Sequence, residues 1–343
     1  MTRRATSSAS ADAIVAIDIG GTTLKGAAFD SAGNVIARHT VLTFAIDVLA
    51  GLTALIRHLH TAAEQAGFRP SGIGIASPGL VDAASGSIVY AANLGWARLP
   101  LLELLEAEFA LPVHIEHDAR AGALAEQAAH ADEEQAFRDF IFIPIGTGAA
   151  AAIVTSGLLV HGATGGAGEF GHIPIVPDGD LCTCGQHGCL EAYVSASNIL
   201  ARYERLGGRT ALATPDVAQS LNADEIAATV WSDAVEALAI GVTSLSAVLD
   251  PARVVIGGGL SKAGDTLLAP LRVSVDQKLG WRTMPPIIQS TLGSHAGLIG
   301  AALLGSDYPL TADFALSAKQ SLTSFVRLAP ATAAETVLKA VND

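Results

Sequence analysis

The sequence predicts an α/β protein of two lobes, and three observations carry that expectation. At 343 residues with 50% hydrophobic content, the chain is longer than one small core needs and suits two packed lobes. It holds 35 Gly and only 5% aromatics, which fits tight strand-to-loop turns rather than a surface for stacking. A strand, Gly-turn, strand unit at AIVAIDIGGTTLKGAAF returns in altered form at FIFIPIGTGAAAAIV, so the two halves of the chain share one pattern.

The elements follow in order. Residues 1–13, MTRRATSSASADA, lack the apolar stretch of about 7 to 15 residues that marks a secretory signal, so a disordered tail and a cytoplasmic chain are expected. Residues 13–20 form an apolar strand ending in a Gly pair; residues 24–41 add a second strand, a turn at 31–34 and a third, a β-meander. Residues 49–66 have helical apolar spacing and stop at Gly67, and GIGIASPG (72–79) is a strand running into a Pro-Gly turn. An amphipathic helix spans 99–109, a strand 113–118, and an Ala-rich helix 119–129. Asp118 thereby stands at a strand's carboxyl end, where open α/β sheets place their ligands. After the repeat at 140–160, a long helix over 223–249 ends at Asp250-Pro251, and RVVIGGGL (253–260) is a strand emptying into three glycines. From Gly300 the chain reads as one more helix and a tail without assignable chemistry. The expected lobes are 14–130, completed by a helix from 298–343, and 131–300.

Charge and hydropathy exclude some partners. A net charge of −13 repels a phosphate backbone over most of the surface, so nucleic acid is not expected as a partner. The most apolar run, residues 141–154, is broken by Pro144, Gly146 and Gly148 and falls short of the roughly 20 residues of a membrane span. No membrane association is expected.

Three segments carry candidate chemistry. In DIGGTTLKG (18–26), Gly20 and Gly21 let the backbone turn so that N–H groups face phosphate oxygens. Thr22 and Thr23 add hydroxyls, and Asp18 is placed to orient a magnesium-bound water; a plain hairpin turn is the competing reading. The second Gly turn at 146–148 favours the ligand reading, although neither turn has the dinucleotide or Walker spacing. Asp118 is a candidate general base for phosphoryl transfer, although spacing alone favours an N-cap of the helix that follows. Cys182, Cys184 and Cys189 lie within eight positions, too close for a disulfide framework, and with a histidine they complete a closed, structural zinc set. His172 is the expected fourth ligand and His187 its rival. Glu169, His172 and Glu191, around this knuckle, are of the kind that bond sugar hydroxyls, with a plain surface carboxylate as the alternative for Glu191.

DIGGTTLKG, SPGLVD, ANLGW, EHDARAGALAE, IGTG, GGAGEFGH, CTCGQHGCLE and VVIGGGLS occur in the order found in the ROK family of sugar kinases and sugar-responsive repressors, which the chain resembles over about residues 14–304. The resemblance implies an actin-like, hexokinase-like fold of two lobes with ATP and sugar in a cleft between them. It implies that Asp118 is the base that takes the proton of a hexose 6-hydroxyl as it attacks ATP. Gly79, Asn93, His117, Asp118, Glu169, His172 and Glu191 would bind the sugar. Asp18, Gly20, Gly21, Thr22, Thr23, Lys25, Thr147, Gly148, Gly257, Gly258 and Gly259 would bind ATP with Mg2+. His172, Cys182, Cys184 and Cys189 would bind structural Zn2+. A glucokinase-like activity is the leading expectation. A kinase for N-acetylglucosamine or N-acetylmannosamine is the near alternative, a non-catalytic sugar-sensing regulator the alternative of another class, and a homodimer or homotetramer the implied assembly. Two departures stand out: His117 occupies the place of the family's Asn in an Asn-Asp pair, and Ala149 to Ala152 replace further glycines.

Overall fold

The computed structural model describes residues 11–44, 47–209, 213–306 and 311–325. Most of the expected N-terminal tail and the end of the C-terminal tail, residues 1–10 and 326–343, lie outside the described residues. In chain order the elements are β1 (Asp12–Ile19), β2 (Thr23–Asp30), β3 (Val35–Leu42), α1 (Val48–Gln65), β4 (Arg69–Ser77), β5 (Leu80–Asp82), β6 (Ser87–Ala91), β7 (Trp96–Leu99), α2 (Leu101–Phe109), β8 (Val113–His117), α3 (Asp118–Ala129), β9 (Phe140–Pro144), β10 (Ala152–Thr155), β11 (Leu158–Leu159), α4 (Glu191–Val194), α5 (Ala196–Arg205), α6 (Thr214–Gln219), α7 (Glu225–Leu249), β12 (Arg253–Gly257), α8 (Asp265–Lys278), β13 (Ile287–Gln289), α9 (Ala296–Leu304) and α10 (Ala312–Phe325). They form two compact units, one from residues up to 116 together with those from 301, the other from residues 117–300.

The first unit is a sheet of order β3-β2-β1-β4-β8. Strands β1 to β3 are the expected antiparallel meander, and β4 lies parallel to β1. Ala13 to Ile17 are all buried, as a central strand covered on both faces requires; Asp12 and Ala13, expected in the tail, already belong to this strand because Asp12 pairs with Arg69. Helix α1 lays Val48, Leu52, Leu55, Ile56, Leu59 and Ala63 on the sheet, one stripe at helical spacing. Its N-cap is Asp47, which accepts the Ala50 N–H at 3.0 Å. At Gly74 a Cβ would stand 1.7 Å from the Ala301 carbonyl oxygen, so only glycine lets β4 and α9 approach this closely. The helix expected over 99–109 begins two residues later, because β7 runs to Leu99 and Pro100 occupies the cap. Strands β5, β6 and β7 form a small antiparallel sheet.

The second unit repeats the arrangement. Its sheet has the order β11-β10-β9-β12-β13, with antiparallel pairs where the first sheet has its meander and β12 parallel to β9. The duplicated unit in the sequence is therefore a duplicated sheet. Helix α7 supplies Val230, Trp231, Leu238 and Val242 to the core beside Ile141, Ile143, Val254 and Ile256. Among the described residues it is the one helix long and apolar enough to cross a membrane by length and composition; here its apolar side is spent on that core.

The first unit also holds a histidine pair. The rings of His39 on β3 and His58 on α1 stand 4.8 Å apart, and burial, followed by the neighbouring charge of His58, holds the His39 pKa below its ordinary value. A histidine whose folded-state pKa is lowered favours the neutral ring, so the unfolded chain binds more protons in this range and stability falls as pH drops through the ordinary pKa of about 6.5. Thermal unfolding is expected at lower temperature at pH 5.5 than at pH 7.5, and His39→Gln should flatten that difference; an unchanged pH slope in the variant would contradict the assignment.

Candidate functional site

Strand β8 passes directly into α3, and the junction carries the acid singled out in the sequence. His117 has extended backbone angles, φ −60° and ψ 138°, and is the N-cap: its Nδ1 accepts the Ala119 N–H at 3.2 Å. Asp118 is therefore the first residue of the helix and not its cap, which corrects the cap reading. The physical reason is that the chain leaves the extended region only after His117, and an imidazole nitrogen serves as acceptor as well as a carboxylate does. Because Nδ1 accepts, the neutral ring carries its proton on Nε2. The Asp118 carboxylate is part-exposed, with Oδ1 2.6 Å from Ala119 N and 3.4 Å from His117 Nδ1, at the positive end of the helix dipole, which favours its ionised form.

The buried His117 ring faces a second carboxylate, Glu169, with Nε2 3.9 Å from Oε1. Glu169 closes a Gly-rich segment. Gly168 has φ +95°, and a Cβ there would stand 1.9 Å from the Ala151 carbonyl oxygen, so the approach to the strand end depends on glycine. The Gly168 carbonyl accepts the Ala151 N–H at 2.8 Å, and buried Phe170 anchors the turn in the core.

Glu191, the first residue of α4, is tied to the 146–149 turn: its Oε2 accepts the Ala149 N–H at 2.9 Å. This replaces the plain surface carboxylate with a group that fixes a loop. Two residues that sequence reasoning passed over complete the brace. Ser197 Oγ donates to the Thr147 carbonyl at 3.1 Å, and Asn198 Nδ2 donates to the Glu191 carbonyl at 3.0 Å. The Gly257 carbonyl accepts the Ile145 N–H at 3.1 Å, and Gly258, at φ +72°, packs its α-carbon against Ile145. The turns carrying Thr147–Gly148 and Gly257–Gly259 are thus neighbours at the ends of β9 and β12.

The remaining candidates lie in the first unit. Gly20 and Thr23 close the β1–β2 turn through a Gly20 N–H to Thr23 carbonyl bond of 3.0 Å, and Thr43 Oγ1 donates to the Gly20 carbonyl at 2.7 Å. Lys25 Nζ stands 3.3 Å from Asp18 Oδ2. Gly79, at φ +92°, begins the small sheet, and exposed Asn93 sits in a short 3-10 turn between β6 and β7.

The thiol cluster has the geometry of a cation site. One ligand atom from each of His172, Cys182, Cys184 and Cys189 lies within 4.8 Å of the others. Cys184 Sγ is 3.6 Å from Cys189 Sγ, and Cys182 Sγ is 3.8 Å from His172 Nδ1. Thiolates about 2.3 Å from a tetrahedral zinc stand about 3.7 Å from one another, so the four donors fit that ion. The rival His187 is outside the set, its Nδ1 placed 2.9 Å from the Gly179 carbonyl. Burial, then the hydrogen bond with Cys184, pushes the Cys189 thiol up to about 12; a cation is what makes such a cluster of thiolates stable.

The family model described as ROK family matches residues 14–307. A glucokinase from Halalkalibacterium halodurans is 33% identical over 321 residues, covering 84% of this chain and 94% of that protein. A putative xylose repressor from a Caldicellulosiruptor species is 34% identical over 216 residues, covering 59% of this chain and 53% of the repressor. The crystal structure of a ROK family glucokinase from Streptomyces griseus in complex with glucose and AMPPNP superposes with a TM-score of 0.73 at 29% identity, covering 85% of this chain and 99% of that one.

Proposed function

The chain belongs to the ROK family and has its hexokinase-like, actin-like fold, and on that footing we propose that it is an ATP-dependent hexose kinase, glucokinase-like, acting on the sugar 6-hydroxyl. The observation that carries the reading is the β8–α3 junction, where a carboxylate that is not the helix cap sits beside a buried imidazole and a second carboxylate. That grouping is what hydroxyl activation needs: a base, a donor and an acceptor within one sugar's width.

In the proposed reaction Asp118 accepts the proton of the 6-hydroxyl as its oxygen attacks the γ-phosphorus of ATP. The new O–P bond forms while the bond to the bridging oxygen of ADP breaks. His117, Glu169, His172 and Glu191, with Gly79 and Asn93, bind the remaining hydroxyls. The turns at Gly20–Thr23, Thr147–Gly148 and Gly257–Gly259 bind ATP, with Asp18 and Lys25 alongside; Mg2+ bound with ATP neutralises phosphate charge. His172, Cys182, Cys184 and Cys189 would hold Zn2+. With four protein ligands and no open position the ion is structural, fixing the segment from Glu169 to Glu191. The same reading makes the enzyme a cytoplasmic homodimer or homotetramer; its three free thiols fit a reducing compartment.

The xylose repressor match supports a second reading, a sugar-sensing regulator without turnover. Coupled ATP turnover on glucose, N-acetylglucosamine, N-acetylmannosamine, mannose and fructose separates the two. One sugar, with glucose the first expectation, should be phosphorylated, and Asp118→Asn should lower kcat at least about a hundredfold; sugar binding without turnover on any of the five would favour the regulator. A separate expectation concerns the metal: the purified protein should carry about one zinc per chain. Since its ligands must be deprotonated, a chelator should strip the ion faster at pH 5.5 than at pH 8. Retention of metal after Cys184→Ser and Cys189→Ser together would count against this site.

A further inference from the structure

Among the described residues Arg120 is the largest fully buried side chain, 1% exposed, in a helix rich in alanine. Taking a guanidinium out of water is costly unless acceptors are waiting for it. Its Nη1 donates to the carbonyl oxygens of Gly165 at 2.9 Å and of Ala167 at 3.4 Å. Both belong to the segment GATGGAGEF, residues 162–170, in which Gly162, Gly165 and Gly168 have φ of 76°, 76° and 95°. A stretch with three left-handed glycines loses much conformational entropy on ordering. Its own backbone supplies modest restraint, through the Ala167 N–H to His161 carbonyl bond and the Ala151 N–H to Gly168 carbonyl bond.

Two residues beyond Ala167 stands Glu169, whose carboxylate faces His117 Nε2. The first turn of α3 therefore meets this segment twice, through His117 at the carboxylate and through Arg120 at the backbone leading to it. We propose that Arg120 is a positioning residue for sugar recognition, holding the 162–168 loop so that Glu169 presents its carboxylate in one orientation; this rests on the reading of Glu169 as a sugar-binding group. Both carbonyl contacts come from one nitrogen, Nη1, so lysine, which carries its charge and three donors on a single ammonium, would keep part of them while losing the rest of the guanidinium.

The test uses the full chain and the variants Arg120→Met, Arg120→Lys and Glu169→Gln, with the Arg120 and Glu169 changes also combined. Arg120→Met is expected to raise KM for the sugar about tenfold while KM for ATP stays within about twofold. Amide exchange over 162–170 should accelerate, and Arg120→Lys should recover part of both effects. Because Arg120 acts through Glu169, the double variant should be no worse on the sugar than Glu169→Gln alone. Additive losses, or unchanged exchange across 162–170, would overturn the proposal. If Arg120→Met does not fold, Arg120→Lys combined with Glu169→Gln answers the same question. Absence of turnover in the parent would sink the kinase reading, and amide exchange in the variants would still decide whether Arg120 holds the loop.

Discussion

The bond between His117 Nδ1 and the Ala119 N–H fixes where α3 begins, and much of the second unit is arranged around that start. A helix that began one residue later would make Asp118 the cap; here Asp118 Oδ1 shares the Ala119 N–H with His117 Nδ1, at 2.6 Å. With His117 as cap, Asp118 is the first residue inside the helix, at the positive end of its dipole. The same bond leaves the imidazole proton on Nε2, facing Glu169. Four residues in a row, from His117 to Arg120, thus include a cap, a part-exposed carboxylate and a buried guanidinium, each set by the transition from strand to helix.

The rest of the second unit steadies what this turn faces. Glu191 bonds the 146–149 turn, Ser197 and Asn198 brace that bond, and the Gly257–Gly259 turn packs on Ile145. Four metal-type donors, His172, Cys182, Cys184 and Cys189, lie together within the segment between Glu169 and Glu191. Rigid support of this kind is what lets a few polar groups keep an orientation against water. The two departures in the sequence read differently in this setting. His117 caps α3 and turns Nε2 toward Glu169. Ala149 gives its N–H to Glu191, an interaction made by the backbone and so indifferent to the alanine side chain.

Much of the architecture was legible because period and turn chemistry agree. The meander, the helix over 49–66 and the long α7 show a clean apolar period with a Gly or Asp-Pro stop, the strand before Asp118 shows the period alone, and the structure shifts their ends by a residue or two. The β5–β7 sheet was not legible, since its strands are only three to five residues long and alternate too briefly to show a period. The cap was misjudged because Asp is the commoner capping residue and backbone angles at 117 are not written in composition. The sequence favoured His172 with His187 as its rival, and the structure groups His172 with the thiols while His187 turns to the Gly179 carbonyl. Arg120 was invisible for a different reason: a charged residue in an Ala-rich helix reads as solvated, and part of what buries it is a loop some 45 residues away.

The central claim, that the group beside His117 delivers a sugar hydroxyl to a phosphoryl donor, is tested most directly by the identity of the product. Glucose incubated with ATP, Mg2+ and the full chain, followed by phosphorus and proton nuclear magnetic resonance, should give a single phosphate ester at the 6-position with one ADP per ester. Phosphate attached at the anomeric carbon, or free phosphate released with ADP and no ester, would contradict the account.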